Sequence, residues 1–123
     1  MNYNESLEMY LETIYVLSLN NSNVKSIDVA NELNYARASV SRAIKLLLDK
    51  EYITLNEKKN ITLTNEGLNI ALKIYDRHQT LTKMFEYLGV SKEVAEDDAC
   101  KIEHVISNES MQAIKKHIDK FSK

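Results

Sequence analysis

The chain has no proline, no tryptophan, two glycines and a single cysteine in 123 residues. Each shortage excludes something. One cysteine forbids an intrachain disulfide and leaves the thiol to act as an apolar filler or as a metal ligand. With so few helix breakers, and with Leu, Ile, Lys, Glu and Asn in quantity, helices are favoured over a sandwich or a barrel. No apolar run reaches the ~18 residues a membrane span requires. The opening Met1-Asn2-Tyr3-Asn4-Glu5 is polar and acidic, whereas a secretory signal is basic and then apolar. The expectation is a soluble, cytoplasmic protein with no membrane partner. At 44% hydrophobic and 28% charged residues it is an ordinary globular chain, able to bury one modest core or two small ones.

Net charge is −2, but it is unevenly spread. Residues 1–24 carry Glu5, Glu8 and Glu12 and no base. Residues 25–60 carry seven bases (Lys25, Arg37, Arg42, Lys45, Lys50, Lys58, Lys59) against five acids, and 61–123 carry nine against ten. The middle third is the only positive one, and it matters for nucleic acid if those bases share a face.

Apolar residues from Glu5 to Leu19 recur at three- and four-residue steps, which predicts a helix that Asn20-Asn21-Ser22-Asn23 ends. Ser26 can cap a second helix with Ile27, Ala30 and Leu33 inward, and Asn34 tolerates the left-handed backbone of a tight turn. A third helix is predicted from Ala36 to Lys50, with Val40, Ala43, Ile44, Leu47 and Leu48 as its core stripe and Arg37, Ser39, Arg42 and Lys45 on its other faces. That succession is a helix-turn-helix. Tyr52–Leu55 and Ile61–Thr64, around the polar 56–60, read as a hairpin, and a hairpin in that place is a wing with Lys58 and Lys59 at its tip for phosphates. Thr64 can then cap a long helix that runs to Gly89, Ser91 a helix from Lys92 to Ile106, and Ser107 a last one through Phe121. The fold class is mainly α with a small β-hairpin. A winged helix-turn-helix DNA-binding domain is expected over residues 1–64 and an all-helical domain over 65–123. The second is short of core on its own and is expected to complete it across a dimer interface.

Cys100, Glu103 and His104 stand at i, i+3 and i+4, which on a helix places three metal-competent donors on one face. Met9 and Glu12 repeat the i, i+3 relation on the first helix, and His78 lies on the long helix. Thiolate, thioether, imidazole and carboxylate together suit late divalent transition metals better than Mg²⁺ or Ca²⁺. Each residue also has a plainer reading: Cys100 as core filler, Met9 as core edge, Glu12 as solvated face, His78 as surface histidine. Glu96, Asp97 and Asp98 suit the N-terminal half of their helix electrostatically.

Five segments, taken together and in order, resemble the diphtheria-toxin-repressor family of metal-dependent transcriptional repressors, which includes the manganese transport regulators. They are Ser6–Tyr15, Ala38–Ala43, Leu63–Gly67, Arg77-His78 and Asp98–Ser107. The resemblance implies a homodimer that binds palindromic double-stranded operator DNA when loaded with Fe²⁺ or Mn²⁺ and represses metal-homeostasis genes. It implies that Met9, Cys100, Glu103 and His104 match the primary site of the iron-responsive branch, and that Glu12 and His78 match positions that hold a second ion in the manganese branch. Thr82 stands where the iron branch has a glutamate ligand, and Glu96 where it has a histidine, which leaves Glu96 as a further candidate ligand. Sulfur in place of oxygen tilts preference from Mn²⁺ towards Fe²⁺, or towards Co²⁺ and Ni²⁺ in vitro. Ending at Lys123, the chain is expected to be of the two-domain type without the SH3-like barrel of larger members. In the reading helix Ala36 and Ala38 replace a serine and a proline common in the family. Ser39 and Arg42 are the candidates for groove contact, Arg42 with the bidentate reach for guanine, and Arg37 and Lys45 for phosphate.

A metal drawing on donors from both halves would select the DNA-competent conformer, for which about 5.5 kcal/mol of differential binding suffices. Two other readings stand beside this one. A metal-independent winged-helix regulator would use Cys100, Glu103 and His104 for packing alone. A metallohydrolase needs a cleft and a general base, for which the chain carries little material, so it is read as no enzyme.

Overall fold

A computed structural model describes residues 3–121. Six helices and one hairpin follow in the order α1 (Tyr3–Ser18), α2 (Ser26–Leu33), α3 (Arg37–Asp49), β1 (Ile53–Leu55), β2 (Ile61–Leu63), α4 (Asn65–Tyr87), α5 (Lys92–Ile102) and α6 (Asn108–Phe121). The chain forms two compact units, Met1–Leu72 and Lys73–Lys123, and the division falls inside α4.

The core of the first unit is the set of residues that the helical spacing aligns. Leu7, Leu11 and Ile14 come from α1, Val29 and Ala30 from α2, and Val40, Ala43, Ile44 and Leu47 from α3; Ile53 and Ile61 close it from the hairpin. Leu33 and Leu48 are only partly buried. Asn34, at φ 57°, makes the left-handed turn between α2 and α3. The start of α2 differs from expectation. Ser26 is its first residue and not its cap, because the Asp28 carboxylate takes the Lys25 amide at 2.8 Å and starts the helix from inside. Ala36, extended at φ −63° and ψ 140°, leads into α3 with no side-chain cap.

The strands pair antiparallel, Ile53 opposite Leu63 and Leu55 opposite Ile61. Asn56 organises the turn, its Oδ1 accepting the amides of Lys58 and Asn60, both at 2.9 Å, while Lys59 takes φ 64°. The wing is anchored at its base: the Ile61 amide donates to the Val24 carbonyl at 2.7 Å and Asn60 Nδ2 to Asn23 Oδ1 at 2.9 Å. Thr64 caps α4 as expected, accepting the Gly67 amide at 3.2 Å, and its hydroxyl donates to the Glu51 carbonyl at 2.7 Å. Gly67 is there for space, since a Cβ would sit 2.0 Å from the Tyr52 carbonyl oxygen.

In the second unit Ser91 Oγ accepts the Val94 amide, and Ser107 Oγ the Ser110 amide, so both serines act at the helix starts where they were expected. Gly89, at φ 99°, follows the end of α4. A small core of Leu81, Ala99 and Met111 is flanked by Met84, Phe85, Ile102, Ile106 and Ile114. Tyr87, Leu88, Val94 and Val105 stay exposed, Leu88 at 69%. The chief correction concerns α5. It ends at Ile102 rather than Ile106, and residues 103–106 form a turn. Among the described residues no helix is long and apolar enough to cross a membrane.

Candidate metal centre and nucleic-acid interface

The early end of α5 has a visible cause. A helix leaves its last carbonyls without internal partners, and here an arginine from another helix collects them. Arg77 Nη1 donates to the carbonyls of Glu103 at 3.0 Å and Ile106 at 2.9 Å, and Nη2 donates to Asn108 Oδ1 at 2.6 Å. The guanidinium fork of Arg77, a residue only 8% exposed, fixes the turn that carries Glu103 and His104. Nothing in local sequence periodicity marks this role; the signal is a long cation on an otherwise buried helical position.

The next residue along α4 holds the Glu103 side chain. His78 Nδ1 lies 2.8 Å from Glu103 Oε2, and His104 Nε2 lies 3.3 Å from Oε1. Glu103 is fully buried, and the His104 side chain is 2% exposed. A carboxylate removed from water is costly unless positive charge and hydrogen bonds compensate it. Glu103 Oε1 has no hydrogen-bond partner among the described residues. One carboxylate between two imidazoles, with a buried oxygen lone pair still open, fits a divalent transition metal, which would supply positive charge at that oxygen.

The remaining candidates lie as follows. Cys100 is exposed on α5 and Glu103, three residues on, is buried; Glu103 keeps right-handed helical backbone and its amide donates to the Ala99 carbonyl at 2.9 Å, so the helical spacing from Cys100 to Glu103 persists. Glu96 is exposed on the same helix. Met9 is buried in the first unit's core, where its Sδ accepts a hydrogen bond from the Tyr35 hydroxyl at 3.6 Å. Tyr35 also meets the Tyr10 ring edge-on at 6.2 Å, and burial, with Tyr35 beside it, raises the pKa of Tyr10. Glu12 is half-buried on α1.

On α3 the buried stripe leaves Arg37, Ser41, Arg42 and Lys45 exposed. Ser39 is half-buried, and its Oγ accepts from Arg42 Nη2 at 3.4 Å. Ser26, Ile27, Arg37 and Ser41 line a surface hollow of about 260 Å³ where α2 and α3 begin. Lys58 and Lys59 are exposed at the wing tip.

Comparison with known proteins bears on both units. Residues 3–61 match the iron dependent repressor N-terminal DNA binding domain, and residues 64–123 match the iron dependent repressor metal binding and dimerisation domain. An uncharacterised HTH-type transcriptional regulator of Methanocaldococcus jannaschii is 37% identical over 120 residues, 95% of each chain. The transcriptional regulator MntR of Salmonella typhimurium is 30% identical over 109 residues, covering 89% of this chain and 69% of that one. Among solved structures, a manganese-dependent transcriptional repressor in complex with manganese superposes with a TM-score of 0.85 at 23% identity, over 92% of this chain. The chain spans about half the length of that structure, 52%. Such a pairing of a DNA-binding domain with a metal-binding and dimerisation domain, matched from one end to the other, places this chain in the iron-dependent repressor family of metal-dependent transcriptional repressors.

Proposed function

We propose that this protein is a cytoplasmic repressor, with no enzymatic activity, that grips operator DNA as a homodimer when Fe²⁺ or Mn²⁺ is bound and so controls metal-homeostasis genes. The observation that carries the reading is Glu103, buried completely with an imidazole at each carboxylate oxygen, in the unit that matches a metal-binding domain. His78, Glu103 and His104 would hold the ion, and Cys100 would add a thiolate. Glu96, exposed on α5, is a further oxygen donor. Met9 and Glu12 are assigned to the metal on sequence alone. The ion supplies fixed positive charge, and its mixed nitrogen, oxygen and sulfur donors also suit Co²⁺ or Ni²⁺ in vitro. His78 and His104 present nitrogen to it, and Arg77 keeps the Glu103 main chain in place.

For DNA, Arg42 is assigned to a base edge with Ser39 supporting its guanidinium, and Arg37, Lys45, Lys58 and Lys59 to phosphates. The exposed Tyr87, Leu88, Val94 and Val105 supply apolar area for dimerisation. The domain limits we propose are residues 1–64 and 65–123. Alanine at Glu103 or at His104 tests the reading: both variants are expected to keep their far-UV circular dichroism and lose the metal response in an operator anisotropy titration. Retention of that response by both would place the metal elsewhere. Equilibrium dialysis with no bound metal would favour a metal-independent winged-helix regulator.

A further inference from the structure

Thr82 is the one buried hydroxyl of α4 that the fold leaves unused. It is 9% exposed, and its Oγ1 has no hydrogen-bond partner among the described residues. A threonine inside a helix ordinarily donates to the carbonyl four residues back. Thr13 in α1 does so, to the Met9 carbonyl at 2.8 Å. Thr82 has the same opportunity at the His78 carbonyl and does not take it. Four residues along a helix also places Thr82 on the face of His78, and His78 Nδ1 reaches Glu103 Oε2 at 2.8 Å. The other oxygen of that carboxylate, Oε1, is likewise buried without a hydrogen bond. Two buried oxygens without a hydrogen bond thus belong to residues linked to His78, Thr82 one turn along its helix and Glu103 through its other carboxylate oxygen. One of them can donate and accept, and the other only accepts when ionised.

We propose that Thr82 is a specificity-determining residue of the metal centre, its hydroxyl holding a water molecule bound to the ion and so favouring ions that keep water in their shell. This rests on the metal-centre reading above. A neutral hydroxyl is a poor direct ligand for Mn²⁺ or Fe²⁺ but a good partner for a metal-bound water, accepting a hydrogen bond from it through a lone pair. Octahedral oxygen-rich coordination retains such a water, whereas a tetrahedral Zn²⁺ site closed by protein donors does not. Thr82 would therefore discriminate between the two geometries without touching either ion.

The test is a Mn²⁺ titration of the full chain, followed through the electron paramagnetic resonance signal of the hexaaqua ion, together with Zn²⁺ competition, for the parent, Thr82→Val and Thr82→Ser. Valine keeps the shape and removes the hydroxyl. The expected result is a loss of about 10–100-fold in Mn²⁺ affinity for Thr82→Val, the usual effect of removing an outer-shell partner, with Zn²⁺ affinity near the parent's. Thr82→Ser is expected to keep Mn²⁺ affinity. The metal-free Thr82→Val protein is expected to melt no lower than the parent, because an unpartnered buried hydroxyl has been removed. Unchanged Mn²⁺ affinity in Thr82→Val, equal losses for Mn²⁺ and Zn²⁺, or a lower metal-free melting temperature would each overturn the proposal. Should the parent itself bind no Mn²⁺, the metal-centre reading fails and this inference fails with it.

Discussion

Arg77→Ala strikes the turn that carries Glu103 and His104, and its effect can be worked from the geometry. Arg77 serves three acceptors: the Glu103 and Ile106 carbonyls and Asn108 Oδ1. The Glu103 carbonyl is buried, so leaving it alone costs the full desolvation of a lone acceptor, about 1–3 kcal/mol. The other two are partly accessible, and water can replace the guanidinium at a net loss of about 0.5–1.5 kcal/mol each. The sum is about 2–6 kcal/mol, a large fraction of the ~5–15 kcal/mol that holds a domain together. Urea denaturation followed by far-UV circular dichroism, on metal-free protein, reads it as a lower midpoint. Arg77→Lys separates charge from shape. An ammonium keeps the cation but cannot fork between two carbonyls and an amide, so we expect recovery of no more than about half the loss. The reasoning is refuted if Arg77→Ala costs less than about 1 kcal/mol, or if lysine restores the parent's midpoint.

Three further outcomes follow from named contacts. Gly67→Ala sets two effects against each other: alanine gains about 1 kcal/mol in helix propensity, but its Cβ would lie 2.0 Å from the Tyr52 carbonyl oxygen, a backbone atom that cannot swing aside. The clash should win by about 1–3 kcal/mol, and a melting temperature at or above the parent's would contradict it. Replacing Lys58 and Lys59 together with alanine should weaken operator binding evenly across sequences and, with two wings in the dimer, flatten the dependence of log affinity on log salt by about four; an unchanged slope would remove the wing tip from the interface. Leu88→Glu, at a position 69% exposed, should shift the chain towards monomer in sedimentation velocity without lowering helix content, and an unaltered dimer would exclude that surface from the interface.

What local sequence could disclose was governed by the range of each interaction. The stripes of α1 and α3, the left-handed Asn34, the Thr64 cap and the wing were legible because each depends on residues within a few positions of one another. The end of α5 was not legible, since it is set by Arg77, 26 residues before Glu103. Spacing puts Cys100, Glu103 and His104 on one helical face but does not disclose burial: Glu103 is fully buried and Cys100 is exposed. The pairing of Met9 with Tyr35 and the need for glycine at 67 are likewise set by contacts distant in sequence. Donor chemistry could be read from residue types, whereas the buried oxygens of Thr82 and Glu103 required the fold.

The most direct test of the central claim is the affinity of the parent for its operator, measured by fluorescence anisotropy without oxygen, with Fe²⁺ or Mn²⁺ present and again after chelation. If the ion moves the protein from about 1% to nearly full competence, affinity rises roughly 100-fold on loading and returns on chelation. Equal affinity in both states would contradict the account.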